Sequence, residues 1–161
     1  MFETFAPDLK GTVMRAREKA VQTGANSLEA EHLLLSLAEF PNGAAGRVMA
    51  NLGLNEARIQ SALDEEFEAA LARVGVTLPP LAKLPPRRRE RTPQWGQSAK
   101  VCLKRTQKEA VMRGDRKINN EHLLIGIAHT QIGAIPGVLK VLGMSPGEIS
   151  LAVAKELKKG S

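Results

Sequence analysis

Aromatic residues are scarce in this sequence of 161 residues. Phenylalanine and tryptophan make up 3% of it, and tyrosine is absent. The strands of β-sandwiches and barrels draw on aromatic and β-branched side chains, so this scarcity disfavours an all-β fold. Segments rich in alanine and leucine favour helices instead. Because 43% of the residues are hydrophobic and 25% are charged, we predict a globular all-α protein.

Cysteine and long apolar runs are nearly missing as well. The single Cys102 excludes an intrachain disulfide, which suits a reducing compartment, and we predict a cytoplasmic location. No run has the length of a membrane span, and residues 1–10 lack the apolar centre of a signal peptide. No phosphate-binding loop of the type Gly-x-x-x-x-Gly-Lys-Ser/Thr and no nucleophile motif is present. We therefore predict no catalysis, no cofactor and no membrane association.

One sequence pattern occurs twice, 90 positions apart. The segment Glu-His-Leu-Leu at 31–34 recurs at 121–124. An ungapped alignment of residues 5–67 with 95–157 contains 18 identical pairs in 63 positions. Apolar residues at helical spacing, interrupted by glycine and proline, predict four helices in each unit. The chain is therefore predicted to be a duplicated four-helix repeat with about eight helices.

Local signals mark where several of these helices begin and end. Pro41 is expected to end the second helix, and Asn55 is expected to cap the fourth. Ser145 should cap the last helix, with Pro146 at its first position. In the fourth helix, Phe67 is expected to continue the inward-facing apolar stripe.

Charge is unevenly distributed along the chain. The net charge of +6 is the sum of −4 in residues 1–75, +4 in 76–94 and +6 in 95–161. Residues 76–94 hold five of the nine prolines, so they are predicted to connect repeat 1 (1–75) to repeat 2 (95–161). Each half is small for an independent core, so we expect one domain over residues 1–161.

The order of these features resembles the Clp N-terminal repeat. Each unit has an aromatic residue, a helix, a glycine, the Glu-His-Leu-Leu helix, a second glycine and a Leu-Gly pair before its last helix. The resemblance covers about 5–67 and 95–157 and implies an all-α fold of two four-helix units related by a pseudo-twofold axis. It also implies a non-catalytic module that binds protein adaptors or degradation-marked substrates for a Clp-type unfoldase, as a monomer in isolation. The connector departs from the family pattern and favours a divergent or stand-alone member.

Glu31 and Glu121 are the principal candidates for ligand contact. Each lies in the first turn of the second helix of its unit, where the helix dipole alone would stabilise a carboxylate. In ClpC-like members, the resemblance implies that this glutamate contacts the guanidinium of phosphoarginine, a mark on proteins sent for degradation. The Gly-Thr that precedes it in that branch is replaced by Glu29-Ala30 in the first unit and by asparagines in the second.

These replacements make the two sites unequal in the sequence. Glu29 would repel a phosphate, so the first site is expected to be weakened for phosphoarginine. The second half of the chain is the basic one, and it is expected to hold the better anion site. The residues predicted to receive the anion there are Asn119, Asn120, Arg113, Arg116 and Lys117.

The remaining candidates have weaker signals. His32 and His122 have no further ligands at metal spacing, so we expect rings hydrogen-bonded beside the core and no metal site. Cys102 is read as a small buried hydrophobe. Phe2 has no place in the repeat pattern and is a candidate partner contact.

Two other functions stay open. A stand-alone decoy or regulator would sequester the peptides or small molecules that are aimed at Clp N-domains. Nucleic acid would bind through the basic second half and the arginines of residues 87–91. Those arginines are not interleaved with aromatic residues, so the sequence argues against nucleic acid.

Overall fold

The computed structural model describes residues 4–76 and 93–159, which form eight helices and two short strands. In repeat 1 the elements are α1 (Pro7–Gln22), β1 (Ser27–Leu28), α2 (Ala30–Leu37), α3 (Gly43–Asn51) and α4 (Glu56–Arg73). In repeat 2 they are β2 (Gln94–Trp95), α5 (Gln97–Arg113), α6 (Asn120–Ala128), α7 (Ile135–Leu142) and α8 (Pro146–Lys159). The predicted all-α, duplicated fold is confirmed. Phe2 and most of the predicted connector lie outside the described residues.

Local chemistry sets the helix ends at several of the predicted residues. The Asn55 Oδ1 atom accepts a hydrogen bond from the Arg58 N–H at 2.8 Å and so caps α4. The Ser145 Oγ atom accepts one from the Glu148 N–H at 3.2 Å, and Pro146 is the first residue of α8. These capping contacts match the start signals in the sequence.

Helices pack within each repeat, where α1 contacts α2 and α5 contacts α6, and they also pack across the two repeats. Helix α4 contacts α7, α3 contacts α8 in the same way, and α2 contacts α6 near the pseudo-twofold axis. Buried side chains from both repeats form one hydrophobic core. The division into residues 1–75, 76–94 and 95–161 stays a prediction.

Each repeat also begins by pairing with a loop of the other. Phe5 forms a parallel bridge with Ile118, and the Ala6 N–H donates to the Ile118 carbonyl at 2.8 Å. In the equivalent place Leu28 pairs with Trp95 in the parallel β1–β2 ribbon, and the Gly96 N–H donates to the Leu28 carbonyl at 2.8 Å. These contacts fix the first helix of each repeat against the second helix of the other.

The inward orientation predicted for Phe67 is wrong. Its side chain is 56% exposed, whereas Ile59 and Ala62, in the first turns of α4, are buried. Cys102 has no exposed surface, as expected of a small hydrophobe, and burial raises the pKa of its thiol to about 12.

Within residues 4–76 and 93–159, no single helix is long and apolar enough to cross a bilayer. Helices α7 and α8 reach such a length and apolar character only together, and they meet at a bend of 78°.

Candidate functional site

Glu31 and Glu121 stand in equivalent first turns of α2 and α6 and share an unusual feature. Within residues 4–76 and 93–159, two buried side-chain polar atoms have no hydrogen-bond partner, namely Glu31 Oε1 and Glu121 Oε2. Burial raises the pKa of the Glu31 carboxyl; its own backbone N–H opposes that rise, and the charge of Glu29 adds to it. A buried acceptor without a donor is costly, so each glutamate is suited to accept a hydrogen bond from a ligand.

The carboxylate of Glu29 is already occupied by the fold. The Ser98 hydroxyl donates to Glu29 Oε1 at 2.7 Å, and the Ser27 hydroxyl donates to Oε2 at 2.5 Å. The Ser98 N–H points to the same carboxylate at 3.2 Å, so Glu29 lies at the N-terminus of α5. Burial alone would raise the pKa of Glu29, but the hydrogen bonds from Ser27 and Ser98 outweigh it and lower the pKa. Glu29 is therefore a charged cap across the two repeats.

At the start of α6, the carboxylate that crosses between the repeats belongs to Asp8. The Asn120 N–H donates to Asp8 Oδ2 at 3.2 Å, and the Thr12 hydroxyl donates to Asn120 Oδ1 at 2.9 Å. Asn119 Oδ1 accepts the His122 N–H at 3.4 Å, as the N-cap of α6. Both asparagines predicted to receive an anion therefore have side chains hydrogen-bonded within the protein, and Asn120 is buried.

One basic residue of the predicted anion site is engaged within its own helix. The Arg113 Nε atom pairs with Glu109 Oε1 at 2.9 Å along α5. Arg116 and Lys117 are exposed in the turn between α5 and α6. The structure thus brings Asn119, Asn120 and Glu121 together at the start of α6, while Arg113 is engaged within α5.

The two repeat histidines lock the starts of their helices. The Glu29 N–H donates to His32 Nδ1 at 2.9 Å, and the Asn119 N–H donates to His122 Nδ1 at 3.0 Å. The other ring nitrogen of His122, Nε2, lies 2.7 Å from Asp115 Oδ2. Burial lowers the pKa of His32. In the described ranges, no group of three or more His, Cys, Asp and Glu side chains is placed to hold a metal ion.

A cleft of about 550 Å³ opens beside Glu31, between α2, α4 and the loop that enters α7. Its acidic lining residues are Glu31, Asp64 and Glu66, and Leu35, Leu63 and Phe67 are among its apolar ones. Asp64 and Glu66 were not among the predicted site residues. A signal was present, because the run Asp64-Glu65-Glu66 faces Ala-Lys-Glu in the second unit of the repeat alignment.

Comparison with known proteins identifies the family of this chain. Residues 4–142 match the profile of the Clp repeat (R) N-terminal domain. The chain belongs to the Clp N-terminal domain family. The chaperone ClpB of Oceanobacillus iheyensis is 30% identical over 145 residues, which cover 90% of this chain and 16% of that protein. The chloroplastic ClpC of Pisum sativum is 31% identical over 161 residues, which cover 96% and 15% respectively.

Solved Clp N-terminal domains have the same fold. The N-terminal domain of ClpD from Arabidopsis thaliana matches with a TM-score of 0.68 at 17% identity, covering 98% of this chain and 97% of that one. The N-terminal domain of Hsp104 from Candida albicans matches with a TM-score of 0.60 at 19% identity, covering 92% and 88%. The chain spans about one sixth of the length of its curated relatives, and the part it matches is the N-terminal domain. The prediction of a non-catalytic module is confirmed by this membership, because a Clp N-terminal domain carries none of the ATPase.

Proposed function

We propose that this Clp N-terminal domain is a recognition module that binds adaptors or degradation-marked client proteins of a Clp-type unfoldase. The carrying observation is the pair of buried, unpartnered oxygens on Glu31 and Glu121 at equivalent positions of the two repeats. A guanidinium or another N–H donor from a protein ligand would satisfy each of them. The family membership supports the same class of ligand.

An arginine-phosphorylated client segment is the finer form of this proposal, and it favours the second repeat. The guanidinium of such a residue would donate to Glu121, and Arg116 and Lys117 in the preceding turn would attract its phosphate. In the first repeat, the charged Glu29 carboxylate stands two residues from Glu31 and opposes a phosphate. Phosphoarginine is therefore assigned to Glu121 rather than to Glu31.

Calorimetric titration with phosphoarginine tests that assignment. We expect Glu121→Ala to weaken binding at least about tenfold, and Glu31→Ala to change it less than about threefold. The control is Glu65→Ala, at an exposed position of α4. If the wild type produces no heat, the phosphoarginine form of the proposal fails. If Glu31→Ala removes binding and Glu121→Ala does not, the two sites have been assigned in the wrong order.

A separate titration tests the module itself. Fluorescence anisotropy of a labelled, permanently unfolded protein measures client binding without any phosphorylation. We expect the double variant Glu31→Gln/Glu121→Gln to lose affinity at least about tenfold, while Glu65→Gln keeps it. Equal affinity for the double variant and the control would contradict recognition through these two glutamates.

The two alternative functions give different results in the same assays. A sequestering regulator would bind the same ligands but would also withdraw a labelled client from a full-length Clp unfoldase in a competition experiment. A nucleic-acid binder would lose affinity steeply as salt is added, and it would tolerate both glutamate changes. The acidic cleft beside Glu31 favours a protein ligand over nucleic acid.

A further inference from the structure

The cleft beside Glu31 carries an excess of negative charge. Its lining holds the three carboxylates of Glu31, Asp64 and Glu66, and one cation, Arg73. The Arg73 Nη2 atom lies 3.0 Å from Glu66 Oε1, and its side chain is 65% exposed. Two carboxylates of the cleft are therefore not matched by a cation of the lining, and one of them has an oxygen without a hydrogen-bond partner.

Apolar surface lies next to this charge. Leu35 and Leu63 form part of the wall, and the Phe67 ring is 56% exposed at the same cleft. Acidic groups beside apolar walls suit a long cationic side chain, whose methylene stem packs on apolar surface while its charged end meets the carboxylates. An exposed aromatic ring adds a surface on which a neighbouring side chain or a guanidinium plane can stack.

The equivalent surface of the second repeat lacks this excess. Asp64 aligns with Ala154, and Glu66 aligns with Glu156. The Glu156 Oε1 atom pairs with the Arg47 Nε atom at 2.5 Å. The position that matches Arg47 is Gly137, and a Cβ built there would collide with the Glu66 carboxylate. Glu66 therefore lies against a bare glycine, whereas the matching Glu156 is paired with an arginine.

We propose that this cleft binds an unmodified arginine side chain of a protein segment, with an apolar neighbour of that arginine against Phe67. The inference rests on the proposed function, because it names the ligand of one of its two glutamates. An arginine provides five N–H donors in a planar fork, enough to satisfy Glu31 and to pair with Asp64 or Glu66 as well. A phosphate on the guanidinium would bring negative charge among three carboxylates, so the cleft selects against the phosphorylated form. The first repeat then binds unmodified arginine, and the second binds phosphorylated arginine.

Three versions of one synthetic peptide test the proposal. The peptide carries a central Leu-Arg pair, with the arginine unmodified, phosphorylated or replaced by neutral citrulline, and its binding is measured by calorimetry. Glu121→Gln serves as the background, so that the first cleft is observed alone. We expect the unmodified peptide to bind at least about tenfold more tightly than the other two. Tighter binding of the phosphorylated peptide in this background would overturn the inference.

Two variants connect the binding to the cleft. Gly137→Arg supplies the cation that the second repeat has, and we expect it to remove binding of the unmodified peptide, while Gly137→Gln adds similar bulk without charge and keeps more of it. Asp64→Asn lies at an exposed position of α4, so it tests the charge without endangering the fold. Unchanged affinity in both Gly137→Arg and Asp64→Asn would overturn the inference. If the labelled unfolded protein still binds in that case, the proposed function stands without this inference. If neither the peptide nor the unfolded protein binds, the inference and the proposed function both fail.

Discussion

The two repeats place the same glutamate on the same helical turn and surround it with different charges. Around Glu31 stand a charged N-cap, Glu29, and an acidic cleft whose Glu66 lies over a glycine. Around Glu121 the N-cap is the neutral Asn119, and the residue that matches Glu66 is paired with Arg47. Duplication has thus kept the backbone and the glutamate, while the charges at the surrounding positions differ between the two copies.

The largest expected difference in stability comes from exchanging two matching residues, Gly96 and Ala6, at the starts of α5 and α1. A Cβ at Gly96 would collide with the Glu29 carboxylate. The matching residue Ala6 already carries a Cβ, and the N-cap that corresponds to Glu29 is the shorter, neutral Asn119. We expect Gly96→Ala to lower the free energy of unfolding by about 2 kcal/mol, because Glu29 must leave its donors. Ala6→Gly should be neutral, since glycine is accepted at an N-cap.

Chemical denaturation of both variants measures this difference. Adding Glu29→Asn to Gly96→Ala gives the first repeat the shorter cap of the second, and we expect it to recover part of the loss. Equal stability of Gly96→Ala and the wild type would show that the Glu29 cap contributes nothing to the fold.

A second contrast lies in the acid response of the repeats. Hydrogen bonding from Arg15 lowers the pKa of Glu39 to about 2; burial opposes this and Lys19 adds to it. The matching residue of the second repeat is His129. Because the folded pKa lies below the ordinary 4.5, the stabilisation is complete above pH 4.5 and is lost as the pH falls toward 2. We expect Glu39→Gln to cost about 1 kcal/mol at pH 7, since water screens part of this half-buried network.

Urea denaturation at pH 7 and at pH 3.5 follows this effect. The gap between Glu39→Gln and the wild type should narrow at the lower pH. Glu65→Gln, which is exposed in the same repeat, provides the matched control. A gap that stays constant between the two pH values would contradict the ion-pair explanation.

The smallest expected effect concerns Glu31 itself, and it has the opposite sign. Burial raises its folded pKa, so the charged form destabilises the fold at neutral pH, and stability rises as the pH falls through that pKa. We expect Glu31→Gln to stabilise the protein by about 0.5 to 1 kcal/mol at pH 7 and by nothing in acid. Replacing Glu29 with asparagine, as in the second repeat, should reduce this gain because one cause of the raised pKa is removed. A destabilising Glu31→Gln would mean that the carboxylate supports the fold rather than a ligand.

The duplication and most helix ends were predictable because they depend on local signals. The offset of 90 positions follows from the aligned identities, and Asn55, Ser145 and Pro146 act through atoms a few residues away. The all-α fold required no knowledge of distant contacts, since glycine, proline and capping residues separate its helices.

The surroundings of the two glutamates were not predictable, because they come from the opposite repeat. Ser98 reaches Glu29 across 69 positions, and Asp8 reaches Asn120 across 112. Periodicity gives no information about such pairs. It also misplaced Phe67: burial in α4 is confined to its first turns, so a stripe drawn along the whole helix includes a residue of the open cleft.

The cross-repeat caps also impose an order of events on the growing chain. The Ala30 N–H donates to the Ser98 hydroxyl, which lies 68 positions later in the sequence. At translation rates of about 5 to 20 residues per second, that interval is about 3 to 14 seconds. During this time α2 has α1 of its own repeat against it, but it lacks the Ser98 acceptor and the contact with α6. Part of the apolar surface of α2 therefore stays uncovered until the second repeat has been synthesised.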